Sequence, residues 1–350
     1  MNHLFLHCRA GFEKECSAEI TELAGELGVY GYTKTKESSG YVVFITQEAD
    51  GALIILQRLR FRKLIFTRQW FAGAGLISDL PVADRVTPLL AAAEALPVGF
   101  ELVLETVDTN DGKELSGLSK KFTAPFSKAL RAKKLLQDKS GWRLHLVFIT
   151  GTQAFLGVSQ VYNSSPWPMG IARLRLPKEA PSRATLKLEE AWHHFIPADE
   201  WDTRLASGMR SADLGAAPGG WTWQLVQRGM YVEAIDNGPM DKRLLESGQV
   251  LQILMDGFLY EPKKPLHWLV CDIVDKPARV SSMIIRWFTK GYCREAVFNL
   301  KLPMKQRYLE VKKCEQRIMA ELEKAGIKIE IQFKQLYHDR EEVTGHIRVL

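Results

Sequence analysis

Residues 212–225 read ADLGAAPGGWTWQL. A β-type run at 211–214 meets a loop of small residues, and a helical pattern begins near Trp221. Gly215, Gly219 and Gly220 carry no Cβ, so a ligand can approach the backbone closely at this turn. The spacing G-x-x-x-G-G differs from the dinucleotide pattern G-x-G-x-x-G, and no Lys follows Gly220 as a phosphate loop requires. The turn binds something, and neither nucleotide fingerprint says what.

Outward from this turn, the second half of the chain is regular. Strand SADLGA leads to helix GWTWQLVQRG, strand MYVEAIDN to helix MDKRLLESG, and strand VLQILMD follows. Strand HWLVCDIV leads to helix PARVSSMIIRWFTKG, and strand EAVFNLKLP to a long helix over about 304–325. Repeated β-α units predict a doubly wound parallel sheet. The last two strands, IKIEIQFKQLY and EVTGHIRVL, are joined only by HDRE and so must run antiparallel. A terminal hairpin is unusual for a dinucleotide domain and usual for a methyltransferase.

The first half follows a different grammar. Short strands such as HLFLHCR, GYVVFIT and WRLHLVFITG alternate with helices such as GFEKECSAEITELAGELG, an α+β pattern. Residues 164–181 hold four prolines and little periodicity, and read as a linker. The expected organisation is an N-terminal α+β region at 1–163, the linker, and an α/β domain at 182–350. The stretch KKFTAPFSKALRAKK places Lys120, Lys121, Lys128, Arg131, Lys133 and Lys134 in one segment with Phe122 and Phe126 between them. It is expected to track the phosphates of a nucleic acid.

Composition limits the function classes. A chain of 350 residues favours two or more domains, and 46% hydrophobic with 25% charged residues is ordinary for a globular protein. The formal net charge of +6 permits a polyanionic partner without requiring one. Five scattered cysteines show no zinc spacing, so reduced thiols in a cytoplasm and no metal are expected. The paired His193 and His194 lack further ligands nearby and read as structural. The N-terminus MNHLFLHCRAGFEKE is not signal-peptide-like, and no apolar run is long enough to span a membrane. No heptad pattern is present, and a monomer is expected.

In an open α/β sheet the ligand lies outside the carboxyl ends of the strands. The candidates fall there in order. Ala217 and Pro218 complete the glycine turn after the first strand, with Trp221 behind it. Asp236 ends the second strand, where a carboxylate accepts hydrogen bonds from ribose hydroxyls. Asp256 ends the third, within reach of an adenine amino group; Asp272 ends the fourth and Lys301 the fifth. No basic residue sits in the turn for a pyrophosphate. A ligand with ribose and adenine but no phosphate fits better, which is S-adenosyl-L-methionine. A nicotinamide or flavin nucleotide is the rival.

The motifs DLGAAPGGW, SRATLKLEEA, VCDIVDKP, FNLKLP and REEV resemble the FtsJ-type ribose 2′-O-methyltransferases over about 182–350. That family carries a Lys-Asp-Lys-Glu tetrad. The resemblance implies that Lys187, Asp272, Lys301 and Glu342 fill it, and that Ser182 lies near the cofactor's carboxylate end. Glu341 and Glu342 are neighbours and would face opposite ways on a strand. The family glutamate directly precedes the first β-branched residue of its strand, here Val343, which selects Glu342. HDREEVT, NLKLPMK and PADEWD, with the whole chain, are also similar to bacterial methyltransferases with a THUMP-like RNA-binding half. That likeness implies the ribose of a cytidine in 23S rRNA as substrate.

A ribose hydroxyl is a poor nucleophile, so a base must take its proton as the new bond forms. A lysine serves only as the free amine, and its ordinary value is about 10.4. A second ammonium nearby and partial burial favour the neutral form. Lys301 is thus expected as general base, with Lys187 supplying the nearby charge and Asp272 and Glu342 orienting both. Two other functions are compatible with the elements alone. One is an NAD-type oxidoreductase; the other is a non-catalytic RNA-binding or ribosome assembly factor with a decayed site. A base-modifying enzyme would show an N-P-P-Y-like loop after the fourth strand, where this chain has CDIV.

Overall fold

A computed structural model describes all 350 residues, which divide into two compact units, 1–172 and 173–350. The first unit opens with β1 (His3–His7), α1 (Glu13–Glu26), β2 (Gly31–Thr35), β3 (Tyr41–Thr46), α2 (Gly51–Arg58) and β4 (Gln69–Ile77). These strands stand in the order β2-β3-β1-β4, every pair antiparallel, which is the ferredoxin-like arrangement. Then follow α3 (Val86–Ala93), β5 (Glu101–Thr106), α4 (Asn110–Glu114), α5 (Ser116–Ala132), β6 (Trp142–Thr150) and β7 (Gln153–Gln160). Their strands extend the sheet beyond β4 in the order β7-β6-β5, with β5 and β6 parallel.

Residues from α3 and α5, among them Leu89, Phe122, Phe126 and Leu130, pack on one face of this extension with Leu144, Leu146 and Phe148. Phe122 and Phe126 therefore belong to the core. A helix with apolar side chains four apart buries them on one side. Lys120, Lys121, Lys128, Arg131, Lys133 and Lys134 are exposed, and Lys133 and Arg131 have carboxylate partners in Glu94 (3.3 Å) and Asp138 (3.8 Å). The two aromatics thus lie inside and the cations outside, in solvent.

The proline-rich stretch also differs from expectation. Its first part docks on the first unit, and the division between the units falls after Ala172. Gln69 Nε2 and Arg143 Nη1 donate to the Ser165 carbonyl at 2.9 and 2.6 Å, and the Met169 amide donates to the buried Glu105 carboxylate. Partners so distant in sequence leave no trace in local composition.

The second unit begins with α6 (Thr185–Phe195) and α7 (Trp201–Arg204). Then come β8 (Arg210–Leu214), α8 (Gly220–Gln227), β9 (Tyr231–Ile235), α9 (Lys242–Glu246) and β10 (Val250–Ile253). The remainder is β11 (Trp268–Cys271), α10 (Pro277–Thr289), β12 (Glu295–Lys301), α11 (Arg307–Lys324), β13 (Ile329–Lys334) and β14 (Glu342–Val349). The sheet runs β10-β9-β8-β11-β12-β14-β13. Its first five strands are parallel, and β14 is antiparallel to both neighbours. The order reverses between β8 and β11, so the crevice for a ligand lies at the ends of these two strands. No helix is long and apolar enough to cross a membrane.

Trp221 is 3% exposed and packs in the core with Leu188, Trp192, Leu225 and Val270. As a side chain it is removed from the ligand-facing set. It sits in the first turn of α8, where its ring packs against Leu188 and Trp192 of α6.

Candidate active site

The glycine turn joins β8 to α8. Gly215 and Gly219 have φ of +79° and +116°, values at which a side chain is strained. A Cβ on Gly219 would lie 2.3 Å from Leu244 Cδ1, and one on Gly220 would lie 2.5 Å from Ser182 Oγ. Ser182 thus lies against the turn that contains Ala217, Pro218 and Gly220. α6 is tied to it by the Thr185 hydroxyl, which donates to the Gly220 carbonyl at 3.1 Å.

Asp236 lies directly beyond β9 and half-buried. Its Oδ2 accepts the Ala217 amide at 3.0 Å and its Oδ1 the Gly238 amide at 2.7 Å. Each oxygen keeps a second lone pair for a ligand hydroxyl. Asp256 is exposed beyond β10 and accepts the Phe258 amide through Oδ1 at 2.8 Å. Gly215 abuts Ile273, the residue after Asp272, so the turn and the end of β11 are neighbours.

Lys187 comes from the first turn of α6, Asp272 follows β11, Lys301 ends β12 and Glu342 begins β14. The structure brings all four together. Lys187 Nζ lies 3.1 Å from Asp272 Oδ2, and Lys301 Nζ lies 3.2 Å from Asp272 Oδ1. Both ammonium groups also bond Glu342. Lys301 and Glu342 are direct partners across β12 and β14, so their side chains share a face. Glu341 points elsewhere, its carboxylate 2.7 Å from Arg307 Nη2. Lys301 is the more exposed of the two lysines, 26% against 16%. Burial lowers the value of Lys187, but the Asp272 and Glu342 carboxylates more than offset it, and the net shift is upward. Lys187 is thereby held as the ammonium.

Behind Asp272 runs a chain of hydrogen bonds that sequence reasoning missed. Asn299 Nδ2 donates to Asp272 Oδ1 at 2.8 Å, and Thr344 Oγ1 lies 2.8 Å from Asn299 Oδ1 and 3.0 Å from Asp339 Oδ2. Burial, reinforced by the nearby Glu342 charge, holds the Asp339 carboxyl well above its usual range. Its polarity follows. A carboxylate at Asp272 only accepts, so the Asn299 amide nitrogen must face it and the carbonyl must face Thr344. The Thr344 hydroxyl then donates to the Asn299 carbonyl, with the Asp339 carboxyl beside it. Asp213 in β8 was also missed. It is 1% exposed and accepts the Thr222 hydroxyl at 2.6 Å. No group of three or more His, Cys, Asp or Glu side chains is placed to hold a metal.

Comparison with known proteins bears on this geometry. Three family models match successive parts of the chain. They are the RlmM ferredoxin-like domain at 1–71, the N-terminal domain of ribosomal RNA large subunit methyltransferase M at 84–160, and the FtsJ-like methyltransferase at 180–290. The chain is 71% identical to ribosomal RNA large subunit methyltransferase M of Cellvibrio japonicus (strain Ueda107), over 100% of both. It belongs to that methyltransferase family. The proteins of that name from Pseudomonas fluorescens (strain Pf0-1) and Ectopseudomonas mendocina (strain ymp) are each 56% identical. The first alignment covers 100% of this chain and 98% of the relative, and the second 99% of each.

The FtsJ-like match spans Ser182, Lys187, the glycine turn, Asp236, Asp256 and Asp272, and ends before Lys301 and Glu342. The placement of those two rests on the sheet: β12 and β14 are adjacent, and their register sets Lys301 against Glu342.

Proposed function

We propose that this chain transfers a methyl group from S-adenosylmethionine to the ribose 2′-hydroxyl of a cytidine in 23S rRNA, with Lys301 as general base. The observation that supports it most is the meeting of Lys187, Asp272, Lys301 and Glu342 beside the β8–α8 turn, from four separate elements. The ligand-facing groups fit this donor. Strand-end carboxylates with no cation among residues 215–220 suit a ribose and an adenine rather than a pyrophosphate. Leu254, Met255, Leu259 and Val274, exposed in the loops after β10 and β11, offer apolar surface for a purine.

S-adenosylmethionine, when bound, supplies an electrophilic methyl carbon on a sulfonium. The chain's own residues do the rest. The turn at 215–220, with Ser182, holds the amino-acid end; Asp236 holds the ribose hydroxyls and Asp256 the adenine amino group. The Lys187 ammonium, fixed by Asp272 and Glu342, orients the substrate ribose. Lys301 enters as the free amine, having released a proton to solvent. It would accept the 2′-proton as oxygen bonds to the methyl carbon and the carbon–sulfur bond breaks, sulfur keeping the pair as a neutral thioether, and Asp272 and Glu342 would neutralise the ammonium so formed. Holding the reactants in line can contribute about 7–11 kcal/mol. Residues 1–163, a THUMP-like half, would bind the RNA. The chain would act as a monomer in the cytoplasm.

The test is single-turnover methyl transfer to 23S rRNA, with 2′-O-methyl positions mapped in rRNA from cells with and without the gene. One cytidine should lose its mark. Lys301→Ala should lower the rate by about 10²- to 10⁴-fold with donor affinity kept. Lys301→Arg should fail equally, since a guanidinium cannot accept the proton. Full activity in Lys301→Arg would reduce the tetrad to an orienting role.

A further inference from the structure

In the first unit, α3 and α5 pack with Leu144, Leu146 and Phe148, while the alternate residue Val147 turns to the opposite face with Phe5, Val43, Phe71 and Phe155. Residues paired across antiparallel strands share a face. The register sets Tyr32 against Ile45 and Lys34 against Val43, and sets Phe5 against both Val43 and Phe71. Tyr32 and Lys34 therefore stand on the Phe5 side of the sheet.

That side carries a cavity of about 280 Å³. Its apolar lining includes Val43, Ile45 and Phe155, and Tyr41 lines it as well, stacked on Phe5 with ring centroids 5.0 Å apart and planes at 11°. Leu76, 45% exposed, contributes where it opens. Exposed Lys34 and Lys36 stand at the rim with His3, and no acidic side chain lines the space. Burial, Lys34 and the N-terminal ammonium lower the value of His3, so it is the neutral ring in a positive field.

We propose that this cavity takes one base of a single-stranded RNA segment, with the flanking phosphates on Lys34 and Lys36. The inference rests on the reading that the chain acts on RNA and says where its first unit would hold it. The volume is just below the range of about 300–1,000 Å³ typical of drug-sized ligands, which suits a single base. An apolar, aromatic floor accepts the face of any base, and cations at the rim accept the backbone on either side. Unstacked bases are held on the aromatic side chains of a sheet, and the exposed Tyr32 beside the cavity offers a second stacking surface. A base inside a duplex is paired and stacked, and cannot enter.

The test uses the full chain and a short fluorescein-labelled single-stranded oligoribonucleotide, with the same strand annealed to its complement as control. The single strand should bind more tightly than the duplex. Lys34→Ala/Lys36→Ala should weaken binding about tenfold at moderate salt and lower the salt slope by about 1.4, or 0.7 per lost phosphate contact. Tyr41→Ala should weaken it about fivefold or more. Leu76→Glu, which leaves the Tyr41–Phe5 stack intact, should do likewise by placing a carboxylate at the mouth. Donor affinity should not change in any variant.

Equal binding of duplex and single strand, or unchanged affinity in all variants, would overturn the proposal. Loss in the lysine variant alone would leave a phosphate-binding rim and remove the base seat. Wild-type chain that methylates 23S rRNA while the variants bind normally would sink the cavity and spare the methyltransferase reading. Wild-type chain that shows the predicted binding pattern but methylates nothing would do the reverse.

Discussion

Asp213 shows how a single buried side chain can set a pH dependence. Burial raises its carboxyl to about 7 against the Thr222 hydrogen bond, with Asp272 and Asp236 adding to the rise. The unfolded chain releases this proton near pH 4 and the folded chain only near 7, so between those values the folded state binds more protons. The stability this group contributes is therefore full below about pH 4 and lost as pH rises to about 7, with an upper limit of about 4 kcal/mol. Asp213→Asn should remove that loss, so that β8 amides exchange more slowly than wild type at pH 8 and at a similar rate near pH 4. Parallel exchange profiles at both pH values would show that Asp213 ionises normally. Thr344 makes a second case, in the chain that ends on Asp272. Thr344→Val breaks the chain and leaves the Asn299 carbonyl unpaired, at about 1–3 kcal/mol. Its kcat for methyl transfer should fall about tenfold or more with KM little changed, and Thr344→Ser should recover it. A Val variant as active as wild type would show that Asp272 needs no support from behind. None of these residues was legible in the sequence, because Asp213, Asn299, Thr344 and Asp339 carry no spacing of their own. They acquire meaning only when β8, β12 and β14 are brought side by side. The glycine turn and the carboxylates after successive strands were legible, because one loop and one strand-end position repeat along the chain.

At the scale of elements, local grammar gave most of the second unit and much less of the first. The β-α alternation after residue 210 predicts the parallel strands, and the short HDRE connection predicts the antiparallel hairpin. The hairpin matters chemically because its register chooses between two adjacent acids. A slip of one residue would turn Glu341 toward the lysines and Glu342 away. Trp221 misled because a residue in the first turn of a helix after a binding loop can face either the ligand or the core, and periodicity in so short a helix does not decide. In α5 the phenylalanines lie between cations in the sequence, and winding turns Phe122 and Phe126 inward while Lys120, Lys121 and Lys128 stay in solvent. The proline-rich stretch misled because its partners, Gln69, Glu105 and Arg143, lie far away in the chain.

For the whole molecule, the main fact is that each unit has its own sheet and its own core. The core of the second unit joins α6, α8 and strands from both sides of the switch point, and draws on residues from Leu188 to Leu336. Residues 173–350 form one of the two compact units, and at this length a single core is ordinarily sufficient. A chain beginning at Arg173 should therefore fold cooperatively and bind S-adenosylmethionine as the full protein does, since Ser182, the glycine turn, Asp236 and Asp256 are all retained. It should not methylate 23S rRNA at useful rates, because holding the RNA is assigned to the missing half. Calorimetry with the donor and single-turnover transfer, run on both chains over a range of salt, separate the two contributions. Unchanged donor affinity with transfer lost would divide binding of donor and RNA between the units. Transfer at the full rate by the shortened chain would place RNA recognition in the second unit, and the cavity between Tyr41 and Lys34 would then need another ligand.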